Sequence, residues 1–146
     1  MPAQKFRTQL KTTGLVWDEL FTAAVSFAGS PAYKWVAPGS IYGEVIPATG
    51  ASLPAPIGIA QNNPAATGLV RVRVMGKSIT SACLGACNLI QGTYITVASG
   101  GQTTPSVCGL ATARWAGSNV LSTASAAYGE VYLLGPSFNT CVAGAS

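Results

Sequence analysis

The chain has 146 residues, of which 49% are hydrophobic and only 8% are charged, and its net charge is +4. Soluble domains are ordinarily about a quarter charged, so a surface this poor in charge favours a protein that is covered by copies of itself or by a larger assembly. The composition argues against a disordered chain, and no apolar run approaches the ~20 residues of a membrane-spanning helix.

The inventory of reactive side chains argues against an enzyme. The sequence has no histidine and four carboxylates, Asp18, Glu19, Glu44 and Glu130. Asp18 and Glu19 are adjacent, so on a strand their side chains would point to opposite faces. The glycine-rich stretch 99–102 lacks the lysine of a phosphate-binding loop. We predict no catalytic site, no metal site and no cofactor.

Residues 1–21 are predicted to form an extended N-terminal arm. No apolar stretch directly follows its first positive charges, which argues against a cleaved secretory signal. Lys5, Arg7 and Lys11 lie within its first eleven residues. Without interleaved aromatic residues they are a weak signal for nucleic acid, and a solvated arm or an arm on an acidic partner surface is favoured.

Residues 22–146 are predicted to form a single β-rich domain. The segment 69–75 alternates valine with arginine, and 130–133 alternates Glu and Tyr with Val and Leu, the two-residue period of strands with one buried face. The β-branched residues of 94–97 also suit a strand, whereas 21–27 fits either a strand or a helical turn. Short strands between turn signals predict an all-β fold, a small barrel or sandwich of antiparallel strands.

Two regions, 41–78 and 90–137, carry the same order of features. Each has a strand, a turn, an apolar-Gly-apolar-Ala segment, a loop with Ala-Ala-x-Gly and a final strand that ends at glycine. The spacing between the two motifs differs between the regions. The pattern fits two similar halves of one domain, and it also fits unrelated segments that share β-turn composition.

Four cysteines, Cys83, Cys87, Cys108 and Cys141, are compatible with three states. A structural zinc site ordinarily uses two close pairs, and only Cys83 and Cys87 are close together, so zinc ranks third. Disulfides and buried free thiols are weighed equally for Cys83 and Cys87. Gly85 would permit the turn that a bridge between them needs.

Four residues are candidates for contacts between subunits, namely Arg71, Arg73, Arg114 and Trp115. Arg71 and Arg73 share the exposed face of a predicted strand, where they either keep that face soluble or anchor an interface. Trp115 follows Arg114 and precedes a turn sequence. An aromatic residue at such a place either packs in the core or contacts another subunit.

The segment 56–72 reads PIGIAQNNPAATGLVRV. It resembles the small capsid decoration (cement) proteins of tailed bacteriophages, in which a Gly-[Val/Ile]-Ala segment precedes an Ala-Ala-x-Gly turn and a strand of alternating valines. The resemblance covers residues 39–78 well and 90–136 loosely, and it does not cover the arm. The four cysteines and the nearly uncharged C-terminal half depart from the family pattern.

The resemblance implies a structural virion protein that is not an enzyme and stabilises the phage head. Such proteins bind the outer face of the head, often as homotrimers. The implied partners are the phage major capsid protein and other copies of the chain, with no nucleic acid and no membrane. The implied location is the outer face of the virion head, after assembly in the host cytoplasm. The expected capsid contacts are Lys5, Phe6, Arg7, Lys11 and Trp17.

Two alternative functions remain open on the sequence. Another virion component, such as a tail tube subunit or a head fibre protein, would use similar strands. A tube protein would carry a long hairpin for stacking, for which residues 98–106 are the candidate. A disulfide-stapled extracellular domain that binds sugar or protein through its aromatic residues is the third hypothesis.

Overall fold

The computed structural model describes eight stretches of the chain: 16–28, 32–50, 54–81, 85–98, 101–106, 110–117, 120–123 and 128–139. These stretches contain eleven β-strands and confirm the predicted all-β fold. The strands are β1 Trp17–Ala23, β2 Trp35–Pro38, β3 Glu44–Pro47, β4 Gly58–Ala60, β5 Leu69–Ser81, β6 Gly85–Leu89, β7 Tyr94–Val97, β8 Thr103–Pro105, β9 Leu110–Trp115, β10 Val120–Thr123 and β11 Tyr128–Asn139. Among the described residues, no helix is long and apolar enough to cross a membrane.

The first five strands close into a barrel. Their order is β1-β3-β2-β4-β5, and β5 pairs back onto β1. Closure matters because a barrel leaves no exposed strand edge that could pair with another chain. The predicted small barrel is confirmed, although one pair, β1 with β3, is parallel rather than antiparallel.

Strand β5 joins the barrel to the rest of the sheet. Its residues 69–75 pair with β1, and its residues 76–81 pair with β11 along the same edge. Gly76, at the change of partner, has a φ of 98°, a conformation that costs glycine little. Beyond β11 the sheet continues through β9 and β7 to β8, while β6 and β10 form a separate pair.

Two sets of four strands share one topology. The orders β3-β2-β4-β5 and β8-β7-β9-β11 match strand for strand, and every neighbouring pair within each set is antiparallel. The structural equivalent of β7 is therefore β2. The region 41–78 predicted for the first half begins after β2, whereas the region 90–137 predicted for the second half includes β7.

The apolar side chains form two cores on opposite faces of the barrel wall. The barrel interior contains Ala23, Phe27, Val36, Val45, Ala60, Val70 and Val72. The second core includes Trp35, Ile59, Leu89, Ile95, Trp115 and Val131. Trp35 and Val36 are adjacent on β2 and enter different cores, so this short strand is buried on both faces.

The boundary predicted for the N-terminal arm is too far along the chain. Strand β1 begins at Trp17, inside the predicted arm of residues 1–21. Its side chains explain why, since Phe21 packs against the barrel core and Ala23 is fully buried there. The segment 21–27 is a strand as far as Ala23, and Phe27 beyond it is also buried.

Candidate interaction surfaces

A groove with a volume of about 500 Å³ opens at one end of the barrel. We call it the tip groove, and the residues that line it include Trp17, Glu19, Ile41, Tyr42, Glu44 and Val74. The end of β2 and the starts of β1, β3 and β4 meet there. Trp17 is 56% exposed, Ile41 is 63% exposed and Tyr42 is fully exposed. Large apolar side chains in this setting are typical of an interaction surface.

The hairpin between β2 and β3 carries Ile41 and Tyr42, two exposed residues of the tip groove. The Gly39 amide donates to the Glu44 carbonyl at 2.8 Å, and the Glu44 amide donates to the Ile41 carbonyl at 3.1 Å. Gly43 has a φ of 85°, which closes the turn. The backbone therefore fixes Ile41 and Tyr42 at the tip, where neither side chain contributes to either core.

The adjacent carboxylates of β1 serve different surfaces, as their strand position predicts. Glu19 lines the tip groove, together with Glu44 at the start of β3. Asp18 lies on the other face of β1 and binds Arg73 of β5. The Arg73 Nε–Asp18 Oδ1 distance is 2.8 Å, and the Nη2–Oδ2 distance is 3.0 Å.

The Asp18–Arg73 pair ties β1 to β5 across the barrel seam. Arg73 also donates from Nη1 to the Lys77 carbonyl at 2.9 Å, which fixes its guanidinium. The hydrogen bonds from Arg73 lower the pKa of Asp18 and outweigh the opposing effect of burial. Arg73 is therefore engaged within the subunit, whereas Arg71 is largely exposed at 3.6 Å from Asp18.

Replacing Asp18 by asparagine is expected to lower the stability at pH 7 by about 1–2 kcal/mol, because a charge-assisted pair of hydrogen bonds is lost. The folded pKa of Asp18 is lowered. Its stabilisation is thus complete above the unfolded pKa of about 4 and is lost as the pH falls through the folded pKa. Urea unfolding of both proteins at several pH values should show the gap closing in acid, and a gap independent of pH would contradict this role.

A second exposed surface crosses four neighbouring strands of the sheet, β5, β11, β9 and β7. In register, Lys77 of β5 faces Tyr132 of β11, Tyr132 faces Arg114 of β9, and Arg114 faces Tyr94 of β7. We call these four residues the tyrosine row. The Arg114 Cζ lies 5.0 Å from the centre of the Tyr94 ring, and Lys77 Nζ lies 2.9 Å from Glu130 Oε2. Exposed tyrosine and arginine side chains that alternate across neighbouring strands have the composition of interface hot spots.

Trp115 does not contribute to this surface, which corrects its prediction as a subunit contact. The side chain is 1% exposed and packs in the second core. Trp115 faces Val131 in register, whereas the preceding Arg114 faces Tyr132. The strand alternation therefore directs Arg114 outward and Trp115 inward.

A lysine beside the start of β2 is buried. Lys34 is 1% exposed, its Nζ donates to the Phe27 carbonyl at 3.3 Å, and it lies 5.2 Å from the centre of the Phe27 ring. Burial lowers the pKa of Lys34. The sequence gives no signal for this placement, and it makes the protein surface poorer still in charge.

Several predicted residues fall outside the described part of the chain. These are Lys5, Phe6, Arg7 and Lys11 of the arm and Cys83, Cys108 and Cys141, while Cys87 lies on β6 with its side chain outside the description. Their expected roles stay predictions. Within the described residues, no group of three or more His, Cys, Asp or Glu side chains could hold a metal ion.

Comparison with known proteins identifies a shared fold but no sequence family. No protein-family model matches this chain, and no curated protein gives a significant match. Among solved structures, the chain is similar to the head fiber gp8.5 N base of bacteriophage phi29, with a TM-score of 0.57 and 11% sequence identity. The match covers 82% of this chain and 94% of that chain. The two proteins therefore have the same fold across most of their lengths.

Proposed function

We propose that this protein is a structural component of a bacteriophage virion that binds the outer surface of the capsid as an oligomer and stabilises the head. The observation that carries the proposal is the fold shared with a phage head fiber base. The resemblance of segment 56–72 to capsid decoration proteins supports it independently. A chain with 8% charged residues also suits a place where neighbouring molecules cover its surface.

The exposed residues of the barrel end fit this function. An assembly protein needs large apolar side chains on its surface, and Trp17, Ile41 and Tyr42 supply them at the tip groove. Of the five capsid contacts predicted from the sequence, Trp17 lies in the described part of the chain, and its side chain is exposed there. Its predicted role as a capsid contact stays a prediction, like the roles of the four arm residues that precede it.

The hairpin geometry favours a head protein over a tail tube subunit. A tube subunit would require a long stacking hairpin within residues 98–106. In the structure only residues 98–102 connect β7 to β8, and the turn is held by a 2.7 Å hydrogen bond from the Ala98 amide to the Gln102 carbonyl. A connection of this length has no extended loop to lay on a neighbouring ring.

Sedimentation with phage capsids tests the proposal. The purified full-length protein is mixed with expanded capsids that lack decoration or fibre proteins, and the bound fraction is measured against protein concentration. We expect binding that saturates at a fixed ratio to the capsid lattice. A protein that stays in the supernatant at every concentration, or that assembles into tubes by itself, would overturn the proposal.

Deleting residues 1–12 is expected to weaken capsid binding roughly tenfold, because three cations that can contact an acidic surface are removed together. The deletion leaves the first strand, β1, intact, and the melting temperature is expected to change little. A triple variant, Lys5→Gln, Arg7→Gln and Lys11→Gln, separates charge from chain length. Binding that is unchanged in both variants would remove the arm from the mechanism.

A further inference from the structure

The charged groups on the described surface are unevenly paired. Asp18 and Glu130 are held in ion pairs within the subunit. Glu19 and Glu44 form no ion pair with another described residue, and Arg114 likewise has no described carboxylate within ion-pair distance. Among the described residues, two carboxylates and one guanidinium therefore lack an ion-pair partner, and the Arg114 Nε donates to the Gly92 carbonyl at 3.3 Å.

These three charged groups, which have no ion-pair partner among the described residues, lie on two different surfaces, each rich in exposed apolar or aromatic area. Glu19 and Glu44 border the tip groove, beside the exposed side chains of Ile41 and Tyr42. Arg114 stands in the tyrosine row between Tyr94 and Tyr132, which are 39% and 50% exposed. One surface is acidic and apolar and the other is cationic and aromatic, so the two are complementary in charge.

We propose that copies of this chain associate head to tail, with the tip groove of one copy on the tyrosine row of the next. Glu19 and Glu44 bind Arg114 of the neighbouring copy, and Tyr42 packs against its tyrosines. This inference deepens the proposed function and rests on its oligomeric part. A head-to-tail contact between two different surfaces is heterologous, and its repetition closes a ring or extends a filament.

Two variants of the full-length protein test the contact, because each disrupts one of the two surfaces and leaves the other intact. Arg114→Glu blocks the row by placing a carboxylate opposite an acidic groove, and Ile41→Ser with Tyr42→Ser blocks the groove by removing its exposed apolar surface. Analytical ultracentrifugation should show an oligomer for the wild type and a monomer for each variant. An equimolar mixture should form heterodimers, since one intact groove meets one intact row.

The mixture also controls for folding, because an unfolded variant could not restore association. A milder matched pair removes one exposed arginine inside or outside the row. Arg114→Gln should raise the dissociation constant roughly tenfold, the loss expected for one interfacial charge pair, whereas Arg71→Gln should leave it unchanged. Charge reversal within one chain, Glu19→Lys and Glu44→Lys added to Arg114→Glu, should recover the oligomer.

Three results would overturn the inference. One is a wild-type monomer at every concentration tested, and a second is a mixture of blocked variants without heterodimers, which indicates a two-fold interface. The third is dissociation by neutralising Lys5, Arg7 and Lys11 but not Arg114, which assigns the groove to the N-terminal segment. None of these decides capsid binding, which sedimentation with capsids measures separately.

Discussion

Replacing Val72 by aspartate is expected to prevent the protein from folding. Val72 is fully buried in the barrel core, and its register partners on the adjacent strands are Glu19 and Ala60. An aspartate at this position would place a charge among apolar side chains without a cation to pair with it. The expected loss is about 4 kcal/mol or more, a large part of the stability of a small domain.

Circular dichroism and urea unfolding of the purified variant measure this loss. Leu69→Asp is the matched control, since Leu69 lies on the same strand and is 63% exposed. That variant should stay within about 0.5 kcal/mol of the wild type. If Val72→Asp were soluble and unfolded cooperatively near the wild-type midpoint, the assignment of β5 faces would be wrong.

The prediction for Val72 could be made from the sequence because strand alternation is a local property. A two-residue period of valine and arginine determines which side chains share a face before any partner strand is known. The structure confirms that facing, since Val70 and Val72 are buried and Arg71 is exposed. Val131 and Tyr132 on β11 follow the same rule.

Features that depend on pairing between distant strands could not be predicted. The Asp18–Arg73 ion pair joins residues 55 positions apart. No local sequence pattern indicates that these two residues pair with each other. The tyrosine row requires the register of four strands, β5, β7, β9 and β11, no two of which are consecutive in the chain. Trp115 illustrates the limit, because a place beside a turn suggested exposure and the register buries it.

The sequence contains a weak indication of the tip groove. Ile41 and Tyr42 stand between Gly39 and Gly43 in a turn sequence, and a turn offers no core in which to bury two large side chains. What the sequence could not supply was Glu19, which reaches the same groove only because β1 runs parallel to β3. Parallel neighbours are the hardest pairs to infer, since no hairpin connects them.

Replacing Gly58 by alanine is expected to destabilise the protein by about 1–3 kcal/mol or more. Strand β4 approaches β5 so closely that a Cβ at position 58 would lie 2.3 Å from the Arg73 carbonyl oxygen and 2.7 Å from Val72 Cγ1. A backbone carbonyl cannot rotate away as a side chain can. Relief would require β4 to separate from β5, and that movement would open the barrel between these two paired strands.

Gly50→Ala is the matched control, because a Cβ at position 50 would meet no atom within 4 Å. Thermal unfolding followed by circular dichroism should show a clear decrease in melting temperature for Gly58→Ala and almost none for Gly50→Ala. Equal melting temperatures would show that β4 can move at no cost. The glycine of the apolar-Gly-apolar-Ala motif would then have another role than the close contact between β4 and β5.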